Sequence, residues 1–122
     1  VTPSHLALKI GVALRRRRFR APDERTLQEG IAKAFTEDVM AFEREVVLSR
    51  KDRIDFMVGR IGVEVKMTSS SNDLLRQLAR YAEFDAVTEL VLVTTRARLA
   101  SACPPSLNGK AILAVHLPTG LF

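Results

Sequence analysis

A chain of 122 residues holds enough material for one core and one active site, not two. Hydrophobic residues make up 47% and charged residues 27%, which excludes an intrinsically disordered chain, and no apolar run approaches the ~20 residues that span a bilayer. Nineteen Lys and Arg against fourteen Asp and Glu leave a net charge of +5, so the favoured partner is a polyanion, with nucleic acid first among them.

Residues 5–14 read as a short helix with Leu6, Ile10, Ala13 and Leu14 on one side. Arg15, Arg16, Arg17, Arg18 and Arg20 follow directly, a density of cations that neutralises phosphates without regard to base sequence or, equally, serves as a solubilising tail. Phe19 among them can stack on a base or simply pack. Residues 1–21 are therefore read as a basic N-terminal arm, an appendage to a domain of residues 22–122. The next helix begins near Pro22, a good first-turn residue, with Asp23 and Glu24 favoured there by the helix dipole, and runs to about Phe35. Residues 42–49 alternate in part and carry β-branched residues, the pattern of a strand.

From Arg53 to Met67 the alternation is cleaner. Ile54, Phe56 and Val58 precede Gly59, and Ile61, Val63, Val65 and Met67 follow it, which predicts a β-hairpin. A two-residue type II′ turn at Gly59 and Arg60, with glycine at the position of positive φ, sets Val58 opposite Ile61 and Phe56 opposite Val63. A polar loop from Thr68 to Asp73 then leads into a helix over 74–84, spaced by Leu74, Leu78 and Ala82. Glu89 to Thr95 reads as a strand buried on both faces, and a last strand lies over 111–117, with Pro104 and Pro105 breaking the chain between them.

The hairpin register brings Asp55 opposite Glu64 on the face away from the apolar side chains, their Cβ atoms roughly 4.5–5.5 Å apart. Two carboxylates so placed repel unless a cation lies between them, and hard divalent ions such as Mg²⁺ or Mn²⁺ are bound by such oxygens. Lys66, two residues past Glu64, shares that face by the strand period of two. An acid pair with a metal to polarise water and phosphoryl oxygen, and an amine to stabilise hydroxide or the phosphorus centre, is the equipment of phosphodiester hydrolysis. A zinc cage has no ligands here: Cys103 is the one cysteine, and only His5 and His116 accompany it. Both histidines are read as structural.

Asp55 and Glu64-Val65-Lys66 resemble the signature of the PD-(D/E)xK nuclease superfamily, an acid ending one strand and an acid, any residue, then lysine in the next. Ile54 stands where the signature has proline. The resemblance spans residues 22–117 and implies an α/β fold with a restriction-endonuclease-like core, a mixed β-sheet flanked by helices in the order α-β-β-β-α-β-β. It further implies metal held by Asp55, Glu64 and the Val65 carbonyl, with a glutamate from the preceding helix. Glu24 shares a face with Gln28, Ile31 and Phe35 and is the candidate, with Glu29 as its rival. Gln77 and Tyr81, four apart on the next helix, resemble the QxxxY motif of RecB-like nucleases, where the pair touches DNA or orients the lysine; Tyr81 is the sole tyrosine. The iron-sulfur cluster of some RecB-like members is excluded by the single cysteine. Arg76 and Arg80 flank Gln77 and are candidate phosphate contacts. The resulting expectation is an Mg²⁺- or Mn²⁺-dependent deoxyribonuclease acting on duplex or branched DNA, as a homodimer or larger assembly, with a cytoplasmic location. The rivals are a catalytically silent nucleic-acid-binding domain and an assembly subunit in which the acid and lysine cluster is an ion-paired surface.

Overall fold

The computed structural model describes residues 1–118. Its elements run α1 (His5–Arg15), α2 (Glu24–Glu37), β1 (Glu43–Val47), β2 (Arg53–Val58), β3 (Ile61–Lys66), α3 (Ser71–Tyr81), β4 (Glu89–Thr94), α4 (Ala97–Ala102), β5 (Ser106–Leu107) and β6 (Lys110–His116). The six strands form one mixed sheet in the order β1-β2-β3-β4-β6-β5. The strands β1, β2 and β3 are antiparallel neighbours, β3, β4 and β6 run parallel, and β5 closes the far edge antiparallel to β6. The predicted segments are all present to within a few residues; α4 and the short β5, between the last two predicted strands, are additional. No helix among the described residues is long and apolar enough to cross a membrane.

Local chemistry fixes the helix ends. Asp23 is the N-cap of α2, its carboxylate accepting from the Thr26 N–H at 2.7 Å, so Pro22 lies outside the helix rather than in its first turn. Ser70 caps α3 in the same way through the Asp73 N–H. The stripe Leu27, Ile31, Ala34 and Phe35 seats α2 on the sheet, where the rings of Phe35 and Phe56 meet edge to face at 5.5 Å and Phe42 completes the cluster. The face of the sheet bearing Val63, Val65, Val91 and Val93 is covered by α1 and α2. The opposite face, bearing Ile54, Met57, Leu90 and Leu92, is covered by Leu74, Leu78 and Tyr81 of α3 and Leu99 of α4. A parallel strand buried on both faces must be apolar throughout, which is why β4 reads Leu-Val-Leu-Val.

Helix α1 is not an appendage. Ala7, Ile10, Ala13 and Leu14 are buried in the same cluster as α2 and the sheet, and the Ser4 N–H reaches Glu89 at 2.8 Å. The segment before the arginines is thus part of the core. Leu6, expected on its buried side, is instead partly exposed.

The hairpin register is the predicted one: Val58 pairs with Ile61 and Phe56 with Val63, and Gly59 has φ of +59° while Arg60 does not adopt positive φ. The faces are not as predicted. Phe56 and Val58 point toward α2, but Ile54 lies in the opposite cluster with Met57. The strand β1 makes the same change, since Arg44 stacks over the Phe56 ring while Val46 joins the Ile54 side. Both strands therefore switch faces across the same step, at Glu45 in one and Asp55 in the other. Glu45 does so by adopting φ of +54°, a left-handed conformation that is strained for a residue with a side chain.

The switch brings Ile54 onto Gly62. A Cβ built on Gly62 would meet Ile54 Cδ1 at 2.4 Å and Leu90 Cδ2 at 3.1 Å, so β3 requires glycine here. Gly62→Ala is expected to destabilise the protein by about 1–3 kcal/mol, as overpacked cores do. Combining it with Ile54→Val, which removes Cδ1, should cost less than the sum of the two single changes. Urea denaturation of all four proteins checks this, and strict additivity would show that the two side chains do not compete for the space.

Candidate active site

Continued beyond Phe56 and Val63, the β2–β3 ladder would bond Val65 to Ile54. It stops instead. The Val65 N–H donates to Asp55 Oδ2 at 2.8 Å, and the Asp55 N–H reaches Glu64 Oε1 at 3.4 Å, so side-chain carboxylates replace the backbone partners. On the other edge of β2, Asp55 also lacks a ladder partner, the pairs with β1 falling on Ile54 and Phe56 but not between them. A strand residue's N–H and C=O point to the same side. The Val65 carbonyl therefore faces the gap in which the Asp55 carboxylate lies.

Glu64 is 3% exposed, unlike the open face expected from the sequence, because α3 covers it. A buried carboxylate beside another is held in its neutral form. Burial first, and then the charge of Asp55, push Glu64 up to about 8, against an ordinary value of 4.5. Burial also raises Asp55, opposed by the Val65 N–H bond. Both carboxyls are thus pushed toward their neutral forms, Glu64 by burial and by its neighbour, Asp55 by burial. The Lys66 ammonium stands 3.6 Å from Glu64 Oε2, on the shared face that the period of two requires, and acts against the repulsion without cancelling it.

Helix α3 closes the site from above. Gln77 Nε2 donates to the Tyr81 hydroxyl at 2.9 Å, and that hydroxyl donates to the Arg53 carbonyl at 3.0 Å. Tyr81 is fully buried, and its ionisation is suppressed by burial and by the nearby charges of Glu64 and Asp55. The pair therefore pins the residues entering Asp55, from the position the sequence motif occupies. Of the two glutamates on α2, Glu24 reaches the site's edge: its Oε1 accepts from the Met67 N–H at 2.8 Å, one residue past Lys66. Glu29 points away and binds Arg44 at 2.7 Å.

Glu24 does not join the acid pair as a third ligand. Among the described residues no three His, Cys, Asp or Glu side chains form a group able to hold a metal ion. The donors that suit a hard cation are the carboxylates of Asp55 and Glu64 and the Val65 carbonyl, all oxygen. The close pair of carboxyls is the feature that fits a divalent ion, whose charge would favour the ionised form of both; the Glu24 carboxylate is occupied with Met67.

The expected phosphate contacts are partly engaged within the chain. Arg80 bonds the buried Asp52 at 3.0 Å and ties α3 to the β1–β2 turn, while Arg76 lies 3.8 Å from Asp73. Arg16 and Arg17 both grip Asp38, and Arg15 donates to the Ala114 carbonyl. Arg18 and Arg20 form no ion pair among the described residues. Two further residues at the site carry no mark in the sequence motifs. Glu45, in its strained conformation opposite Asp55, raises that carboxyl further, and nothing in its sequence context distinguishes it. Arg96 Nε donates to the Met67 carbonyl at 3.2 Å, so the peptide beyond Lys66 is held from one side by Glu24 and from the other by Arg96. Its place just past the carboxyl end of a parallel strand, where ligands of α/β sheets bind, is a usable signal.

Compared with known proteins, the chain matches no family model, no curated protein and no solved structure.

An acid whose folded-state value is raised stabilises the fold below its unfolded value and loses that contribution as pH rises through the folded one. For Glu64 the window runs from about 4.5 to about 8. Protein kept in chelator should therefore melt at progressively lower temperature from mildly acid to mildly alkaline pH, by on the order of 5 °C or more. Glu64→Gln, neutral throughout, should flatten most of that slope. Differential scanning calorimetry across the range is the check; an unchanged slope in the variant would place the titration elsewhere.

Proposed function

We propose that the chain is a divalent-metal-dependent DNA nuclease that hydrolyses phosphodiester bonds. The observation that carries the reading is the Asp55–Glu64 pair, Glu64 buried and Asp55 half-buried, with the Lys66 ammonium 3.6 Å from Glu64, set in a break of the β2–β3 ladder. Setting two acids against each other away from water works against stability, beyond what their bonds to two backbone N–H groups return. A bound Mg²⁺ or Mn²⁺ compensates the pair, and when bound it lowers the pKa of a coordinated water and neutralises charge on a phosphoryl oxygen. Asp55, Glu64 and the Val65 carbonyl are the groups that would hold it.

The chain's own residues account for the remaining work. Lys66, partly exposed beside a buried acid, offers an ammonium to the charge that develops on hydroxide or on the phosphorus centre. Glu24 and Arg96 fix the peptide that follows Lys66, and Gln77 with Tyr81 fix the residue preceding Ile54 and Asp55, so the amine and the acids approach the substrate in a set relation. The net charge of +5 favours a polyanionic substrate over a neutral one. The finer fold assignment belongs to the same proposal. The order α2-β1-β2-β3-α3-β4-β6, with the first acid in β2 and the second acid and lysine in β3, supports a restriction-endonuclease-like core.

Incubation with supercoiled plasmid and with branched DNA, in Mn²⁺ and in chelator, tests the assignment. Cleavage is expected only with metal, and Asp55→Asn and Lys66→Ala should each lower its rate by about a hundredfold or more. Cleavage by Lys66→Ala at the wild-type rate would remove the lysine from the chemistry. Binding of DNA without cleavage under any metal would favour the silent nucleic-acid-binding domain instead.

A further inference from the structure

Along one flank of α2 lies an open groove of about 520 Å³, bounded by the segment 17–20 and by Thr26, Glu29, Gly30, Lys33, Ala34 and Glu37 of the helix. Thr26, Glu29, Lys33 and Glu37 lie on the flank of α2 away from Leu27, Ile31 and Phe35, while Gly30 and Ala34 border the buried stripe, and none of the groove's residues belongs to the Asp55–Glu64 site. It is a different place with different chemistry. From Thr26 to Glu37 the helix advances about 16 Å.

The charges in the groove are not balanced. Glu37 is taken by Arg17 at 3.5 Å and Glu29 by Arg44 at 2.7 Å, whereas Arg18, Arg20 and Lys33 line it with no acid partner among the described residues. All three are exposed. Between them Phe19 lines the same groove and packs on α2 at Gly30, where a Cβ would stand 2.9 Å from the ring. Glycine thus lets the ring lie close against the helix, half-buried and held, with its remaining surface in the groove. Phe19 packs against the core cluster that α2 helps to form and still presents aromatic surface to the groove, with exposed cations on both sides of it.

We infer that this groove binds single-stranded nucleic acid, with a base stacked on Phe19 and neighbouring phosphates on Arg18, Arg20 and Lys33. A positively charged channel with an aromatic platform is the general means of holding an unpaired strand, because every base has a face to stack and every linkage a charge to neutralise. A duplex keeps its bases stacked on each other and offers Phe19 none. Cations lining both walls, rather than converging on one point, suit a strand better than a free nucleotide. The inference does not depend on the reading of the acid pair.

The test uses the full chain in chelator, so that cleavage plays no part, and fluorescence anisotropy of a labelled oligothymidylate of about 12 nucleotides, a common site size. Replacing Arg18, Arg20 and Lys33 together by Ala should weaken binding by tenfold or more and reduce the slope of log affinity against log salt by about 2, close to 0.7 for each phosphate no longer neutralised. Phe19→Leu, which keeps an apolar side chain against Gly30, should weaken binding about tenfold while leaving the salt slope unchanged. Melting curves of each variant establish that it is folded. An oligouridylate probe tells DNA from RNA preference, and a duplex of equal length should bind more weakly than the oligothymidylate. Equal or tighter binding of the duplex, full competition by thymidine monophosphate at oligomer-like concentrations, or folded variants that bind as the wild type does would each overturn the inference.

Discussion

The structure turns on a strand that is made to leave its ladder. In an antiparallel hairpin each inward-pointing N–H has a carbonyl waiting for it, and a buried N–H without one costs about 1–3 kcal/mol. At Val65 that carbonyl is replaced by the Asp55 carboxylate, and the same replacement gives the Asp55 N–H to Glu64. Asp55 is thus a structural acceptor and a half-buried acid at once. The hairpin is held at this step by charge-assisted bonds whose strength depends on a carboxylate remaining ionised. The Val65 N–H bond favours the ionised form of Asp55 and works against the burial that raises it.

What keeps the strands from simply re-pairing is the packing on either side. The face switch moves Ile54 into the α3 cluster and leaves Phe56 in the α2 cluster, so sliding β2 back into a regular pleat would strip an apolar side chain from one core or the other. Burial of a side chain of this size is worth about 1.5–3 kcal/mol, comparable to the backbone bond forgone. The glycine at position 62 supplies the room, and the left-handed Glu45 makes the matching turn in β1. These departures sit in one small region, and each would be a fault elsewhere. A sheet residue with positive φ, a missing pair of ladder bonds and two acids out of water are violations that natural folds tend to concentrate at working sites.

Much of this is open to reading from the residues. Alternation about Gly59 sets the register, since a slip of one residue would turn Val63 and Val65 out of the core, and the three-residue stretch Glu64-Val65-Lys66 then puts the acid and the amine on one face. Helical spacing separates Glu24 from Glu29 correctly in direction, because only the former lies near the buried stripe of α2. The face switch is not legible. Period-two reasoning treats Ile54, Phe56 and Val58 alike, and the matching switch in β1 lies at Glu45, several residues before the hairpin, in a conformation that no local propensity for glutamate predicts. The burial of Glu64 escapes for a related reason: a carboxylate in a strand reads as the solvent face, and only the covering helix, with Leu74, Leu78 and Tyr81, makes it an interior residue. Helix α1 reads as an arm because the arginine run beside it outweighs Ile10 and Leu14, which pack fully.

The arginine run itself shows how one stretch of sequence divides its labour once folded. Arg16 and Arg17 converge on Asp38 at the far end of α2, and this closes the connection between the two helices into a fixed corner. Exposed pairs of this kind contribute little each, but two guanidiniums on one carboxylate, with Arg17 also on the Ala13 carbonyl, hold the backbone that follows. The consequence falls on Phe19, which is carried onto Gly30 by a constrained segment rather than a flexible tail. Charge committed to structure at Arg16 and Arg17 thus sets where Arg18 and Arg20, which have no acid partner among the described residues, stand against α2.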